Sequence, residues 1–181
     1  GYSNTTGAQN VGLGYQALYD ATTANFSTAV GYQAASNLTT GAHNIAIGRH
    51  ALLTNTTGAS NVAVGNQALN SNTTASNNTA VGYEAGYSNT TGDNLTSVGT
   101  TAGYSNTTGR FNTNLGKNAG YSNQTGANNT TVGNGAGSAN TADSLTAVGS
   151  NAANANTSGA DNVAIGKEAL TRNTTGASIV A

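Results

Sequence analysis

The sequence predicts an all-β fold, a parallel β-solenoid of the β-roll type. Three observations carry that expectation. A glycine that follows an aliphatic residue recurs every 17 residues, at Gly14, Gly31, Gly48, Gly65, Gly82, Gly99, Gly116 and Gly133; Gly149 then comes one residue early and Gly166 restores the step. A period this strict marks a solenoid in which each repeat is one rung. Just before that glycine, β-branched or aliphatic residues flank a small one, which is the period-2 pattern of a strand. Gly, Asn and Thr dominate the rest of each repeat, and a 17-residue unit is too short for a helical pair. Residues 1–181 are read as a single continuous array of about eleven rungs, a rod roughly 50 Å long at the spacing of neighbouring strands.

Each element can be justified in order by numbering a rung from Asn78, as in Asn78–Asn94, NTAVGYEAGYSNTTGDN. Position 2 is Val, Ile or Thr, as in Val11, Thr28, Ile45, Val62, Thr79 and Val163. Position 4 is a large aliphatic, from Leu13 onward. Positions 2 and 4 share one strand face. We assign that face inward, which makes Val30, Ile47, Val64, Val81, Val98, Leu115, Val132, Val148 and Ile165 the core. The small residue at position 3, mostly Ala, then points outward, either as a close-packing surface or as a tolerated surface alanine.

Position 5 is the recurrent glycine, which ends the strand at a corner needing positive φ. Position 8 is Ala in ten rungs, from Ala17 to Ala169, and reads as a tight inward site. Position 9 is Leu, Ala or Gly. Positions 12 to 15 read Asn-Thr-Thr-Gly, with full copies at 4–7, 55–58, 89–92, 106–109 and 173–176. A second strand or bend is expected there, with position 15 as the turn. Stacked in register about 4.8 Å apart, Asn55, Asn72, Asn89, Asn106 and Asn123 should hydrogen-bond along the axis as a structural ladder. The asparagines at position 1 (Asn10, Asn44, Asn61, Asn78, Asn112, Asn129, Asn162) should form another. The one-residue deletion falls in Asn129–Ser144 and should sit in a loop, because a residue lost inside a strand would flip its faces.

Composition excludes several function classes. Charged residues are 6%, Lys and Arg number five, and the net charge is -1. That argues against nucleic acid, whose phosphates need clustered cations. The apolar share of 36% is below that of an ordinary globular domain, so a thin core is expected. There is no Cys, hence neither disulfides nor thiolate metal sites. No apolar run is long enough to insert in a membrane. With no initiator Met and no signal peptide, we expect a processed chain or a fragment. Gly1 enters at position 9 and Ala181 stops at position 3 without a polar cap. Uncapped edges invite further rungs, so a segment of a longer fibre or a stacking subunit is expected.

Candidate chemistry is sparse. His43 and His50 fall at positions 17 and 7 beside Arg49, with no clustered carboxylate or nucleophile. A hexapeptide acyltransferase would need three hexapeptides per turn, and two are missing here. No enzyme activity and no cofactor are expected. The acidic residues Asp20, Glu84, Asp93, Asp143, Asp161 and Glu168 are scattered, so no metal site is expected either. The Thr column at position 13 raises ice binding; if position 13 faces out, strand alternation turns position 14 in. The outward neighbour at position 11 is mixed (Ser3, Asp20, Asn37, Thr54), which argues against a flat ice face. Tyr87, Tyr104 and Tyr121 occupy position 10 in successive rungs, as do Tyr2 and Tyr19, while Tyr15, Tyr32 and Tyr83 share position 6. Such columns can stack on sugars, on a neighbouring rod, or on themselves. Asn-x-Ser/Thr sequons are frequent, and burial of Asn at position 12 would exclude glycans there.

The segments NVAIG (Asn162–Gly166), NIAIG (Asn44–Gly48) and NTAVG (Asn78–Gly82), each followed after two residues by Ala, resemble the head repeats of YadA-like trimeric autotransporter adhesins. The likeness covers positions 1 to 8 of almost every rung. The pairing of AVGYQA (Ala29–Ala34) with NTTG also resembles phage tail-fibre repeats. These resemblances imply a left-handed parallel β-roll, often trimeric, with a structural or adhesive role. The function expected is a non-enzymatic extracellular fibre segment, at a cell or virion surface. The alternatives are a receptor-binding tail-fibre shaft or an ice-binding solenoid using the Thr columns. Expected partners are further copies of the chain, as a homotrimer or end-to-end filament, and a cell-surface glycan or host receptor.

Overall fold

The computed structural model describes residues 2–181; Gly1, read above as a position-9 residue, lies outside the described residues. Ten strands of three residues occupy positions 2 to 4 of successive rungs: β1 (Val11–Leu13), β2 (Thr28–Val30), β3 (Ile45–Ile47), β4 (Val62–Val64), β5 (Thr79–Val81), β6 (Thr96–Val98), β7 (Thr113–Leu115), β8 (Thr130–Val132), β9 (Thr146–Val148) and β10 (Val163–Ile165). They form one parallel sheet in sequence order. Equivalent residues pair throughout, for instance Ile45 with Val62 and Ile47 with Val64. The chain is therefore the β-solenoid that its period predicts.

The strands are short because position 5 turns the backbone at once. Its glycines have φ between 123° and 140°, a region closed to residues with a Cβ. A Cβ on Gly65 would also come within 2.7 Å of the Gly82 carbonyl carbon in the next rung. Rungs nest here backbone on backbone.

The structure reverses the assignment of faces. Position 3 is the inward residue: Ala29, Ala46, Ala63, Ala80, Ala147 and Ala164 are all fully buried. Positions 2 and 4 point outward. Of the residues expected as core, Ile47, Val81, Leu115 and Ile165 are exposed, and Val30, Val64, Val98, Val132 and Val148 are half-buried. Alternation correctly groups positions 2 and 4 on one face, but parity cannot say which face is inside. Hydrophobicity pointed the wrong way because, opposite a leucine or alanine at position 9, the interior has room for only a small side chain from this wall. It is filled from the opposite wall instead, by the fully buried Ala of position 8 and by Leu52 and Leu69 at position 9.

Side chains at positions 3 and 9 of one rung exchange volume. Where position 9 is Leu52 or Leu69, position 3 is Ala46 or Ala63. Where position 9 becomes Gly103, Gly120 or Gly137, position 3 enlarges to Ser97, Asn114 or Thr131. These three larger residues are buried and bonded along the axis: Asn114 Nδ2 donates to Ser97 Oγ at 3.4 Å, and Thr131 Oγ1 donates to Asn114 Oδ1 at 2.9 Å. Gly86 similarly leaves room for Leu69 and Leu95. Close packing at constant cross-section requires this trade.

Three corners per rung carry left-handed backbone without depending on glycine. Positions 7, 9 and 17 hold non-glycine residues at φ of 47° to 61°, among them Gln33, Leu52, Phe26 and His43. Such a backbone costs an L-residue roughly 1–2 kcal/mol. Inter-rung bonds hold it in place: the Leu52 amide donates to Ala68 O at 3.0 Å, and the His43 amide to Asn25 O at 3.0 Å.

No second strand forms at positions 12 to 15. Three successive amides, Thr22, Thr23 and Ala24, donate to the single carbonyl of Thr39 at 3.1, 3.1 and 3.2 Å. Evenly spaced parallel-strand bonds cannot arise from that fork. The threonine alternation fails as well: position 14 is exposed, and position 13 is half-buried from Thr22 to Thr107 but exposed at Thr141, Thr157 and Thr174, so neither faces the core. Position-13 hydroxyls donate to the next rung from Thr5 to Thr107 and again at Thr141 and Thr157, as Thr56 Oγ1 does to Thr73 O at 3.1 Å.

The asparagine ladder at position 12 runs from Asn55 through Asn72 and Asn89 to Asn106, with amide-to-amide bonds of 3.0, 3.0 and 2.8 Å. Asn123 is buried too, but its side chain bonds within its own turn, to Gly126 O and Gly126 N. Position 1 also forms a ladder along the axis, but from backbone amide to side-chain oxygen, as from Asn78 to Asn61 and from Asn129 to Asn112. There Asn44 Nδ2 reaches across the rung to Gly58 O at 2.8 Å, and Asn44 Oδ1 accepts the next rung's Asn61 amide at 3.0 Å. Because the acceptor sits on the preceding rung, Leu95 and Leu145 can occupy position 1 with their amides satisfied, by Asn78 and Asn129. Among the described residues, no buried side-chain polar atom lacks a partner.

Candidate functional site

The sequence-predicted tyrosine columns form. Tyr87, Tyr104 and Tyr121 stack with centroids 5.2 and 5.1 Å apart and planes within 7°. Tyr2 and Tyr19 stack at 5.2 Å. Equivalent positions on neighbouring rungs sit about one strand spacing apart, so identical rings must meet face to face with an offset. At position 6, Tyr15 stacks on Tyr32 at 5.2 Å, and His50 tilts against Tyr32 at 5.5 Å. One stack went unrecognised in the sequence: Phe26 lies flat on His43 at 4.9 Å. Their separation by one period, both at position 17, was the available signal.

Positions 6–7 and 10–11 of neighbouring rungs line an open groove, with Thr100, Thr101, Lys117 and Asn118 on one side and Tyr121, Ser122, Ser138 and Ala139 on the other, and a volume near 590 Å³. One rung before Tyr121, burial first and then the Glu84 carboxylate raise the Tyr104 phenol above its usual range. A hydrogen bond with Glu84 and its charge raise that of Tyr83.

The two histidines stand at different corners of the rung and have structural partners. His50 Nε2 lies 3.0 Å from Gln33 Oε1. Burial first, then the Arg49 guanidinium, lower its pKa. Among the described residues, no group of three or more His, Cys, Asp or Glu side chains gathers to hold a metal ion. Sequons at Asn55, Asn72, Asn89, Asn106, Asn123 and Asn156 rest on buried asparagines, whereas Asn37 and Asn94 are exposed.

The outer sheet face is the most extended surface feature. Column 4 runs from Leu13 to Ile165 and is exposed by 40% at Ile47, 45% at Leu115 and 62% at Ile165. Beside it, column 2 presents Val, Ile and Thr. No ionisable side chain occurs at positions 2 to 4 of any strand.

Comparisons with family models, with curated proteins and with solved structures return no match to this chain.

Proposed function

We propose that the chain is a non-enzymatic segment of an extracellular fibre with a structural or adhesive role, in which copies associate side by side. The observation that carries this reading is the outward aliphatic column, unbroken over ten strands. A contiguous apolar strip is costly in water and marks an interaction surface. Its length, about 43 Å at the strand spacing, suits a partner of the same pitch, and a second copy has that pitch by construction. The strip carries no charge to repel its own image. Closed symmetry would bring such strips together around an axis, and the adhesin-like motifs imply three. A tail-fibre shaft would use the same association.

Ice binding by column 13 is less well supported, because those hydroxyls already donate to carbonyls of the next rung.

The test is sedimentation of the chain against a Val64→Lys, Val98→Lys double variant. Both residues point outward, so the rung should survive with unchanged far-UV circular dichroism. The wild type should sediment as a multimer and the variant as a monomer. A wild type that is monomeric across its soluble concentration range would refute the proposal.

A further inference from the structure

We propose that the groove beside Tyr121 is a carbohydrate subsite, in which one pyranose ring stacks on Tyr121 where the tyrosine column stops. The column has three rings at a regular 5.2 and 5.1 Å. Tyr104 covers one face of Tyr121, and the next rung offers Ser138 where a fourth ring would lie. Tyr121 is the most exposed ring of the three, at 37%. The open volume lies against these residues, near 590 Å³, within the size range of small-molecule sites.

A pyranose fits the chemistry of the walls. Its apolar C–H face matches the electron-rich face of a tyrosine ring, and its hydroxyl rim needs donors and acceptors at the edges. Thr101 Oγ1 lies within hydrogen-bond distance of both Thr100 O, at 2.7 Å, and Asn118 Oδ1, at 2.5 Å, and the Asn118 amide adds both donor and acceptor capacity to this wall. Ser122 and Ser138 supply hydroxyls that both donate and accept. Lys117, in no ion pair among the described residues, adds an ammonium for a hydroxyl or a uronate carboxylate. A nucleotide is the poorer fit, since its phosphates would meet a single cation in a chain of net charge -1.

The other column end differs in a telling way. Tyr19 is also followed by Ser36, but position 6 of those two rungs carries the stacked pair Tyr15 and Tyr32 where the rungs of Tyr121 and Ser138 have Lys117 and Asn134. The groove between the walls opens where those rings give way to smaller or flexible side chains.

The site occupies positions 6 to 11 and is separate from the association strip at positions 2 and 4, so the two proposals fail independently. The experiment is binding of the full chain to an immobilised panel of neutral-hexose, N-acetylhexosamine and uronic-acid oligosaccharides, followed by saturation-transfer NMR on those retained. Tyr121→Ser removes the platform, and Ser138→Tyr fills the vacancy with the missing ring. Both substitutions place at position 10 a residue that other rungs already carry there, so the fold is kept. At least one oligosaccharide class should bind, and each variant should weaken it by roughly threefold to tenfold with sedimentation unchanged. Neutral and uronic arms separate a hydroxyl contact at Lys117 from a carboxylate one. Failure of every class to bind wild type, or binding that survives both variants, would overturn the subsite.

Discussion

Substituting Gly120 by alanine tests whether the rung interior is a fixed cross-section shared between two walls. The new methyl would land on Asn114 Oδ1, with Asn114 Cγ 2.8 Å away and Thr131 Oγ1 at 3.3 Å. Asn114 cannot swing aside without losing the Thr131 hydroxyl, bonded at 2.9 Å. Overpacking of this kind costs about 1–3 kcal/mol. A Cβ at φ +58° adds about 1–2 kcal/mol, for a total near 2–5 kcal/mol. Asn114→Ala alone should also destabilise, by about 1–3 kcal/mol, because it strands the buried Ser97 and Thr131 hydroxyls. The double variant reproduces the Ala-with-Ala arrangement already present at Ala29 and Ala35. There the clash disappears while the backbone strain stays. The cycle should therefore show a favourable coupling of about 1–3 kcal/mol. Urea unfolding followed by far-UV circular dichroism, with amide exchange of the seventh rung as a local readout, measures all four corners. Additive effects within about 0.5 kcal/mol, or a Gly120→Ala chain as stable as wild type, would refute the shared cross-section.

Two further outcomes follow from the same architecture. Asn89→Ala removes bonds to Asn72, Gly92 and Asn106 and should cost about 2–4 kcal/mol, whereas Thr57→Ala at the exposed position 14 should stay within about 0.5 kcal/mol of wild type; equal losses in thermal unfolding would contradict the ladder. Ser60 is exposed with φ at 58°, so Ser60→Gly relieves left-handed strain and should be neutral or stabilising by about 1 kcal/mol once the looser unfolded chain is counted; a marked drop in melting temperature would show that this corner is not strained.

Much of the fold was legible because a solenoid repeats its own constraints. The 17-residue spacing places Val62 beside Ile45 and Tyr104 beside Tyr87 without any tertiary information. The glycine at position 5 announces its positive φ because nothing else ever stands there. What stayed hidden has a common physical cause. Whether Ala63 or Val64 faces in depends on the distance to the opposite wall, and a strand's alternation is silent about that distance. Left-handed corners at Gln67, Leu69 and Asn77 carry no glycine to reveal them. Their conformation is imposed by stacking, not by local preference. The tyrosine column could be read from spacing, but the groove at its end could not. It exists because Ser138 is small and position 6 carries Thr100 and the flexible Lys117 in place of stacked rings, a combination that only three dimensions bring together.

The short rung Asn129–Ser144 shows where this molecule tolerates a change in length. Strand β8 still meets β9 in register, Thr130 on Thr146, and the side-chain bonds Thr141 to Thr157 O and Asn156 to Asn140 persist at 2.9 and 2.7 Å across a separation of 16. The missing residue is the exposed one at position 14, to which neither bond belongs. What neighbouring rungs sense is the alignment of partners, and the contour length between them goes unnoticed. Position 14, whose side chain is exposed and whose amide in other rungs shares a carbonyl with its neighbours, is thus where this rod absorbs a change in length without dephasing the stack. By the same reasoning a residue inserted there should loop outward along one edge of the rod while the interior stays unchanged.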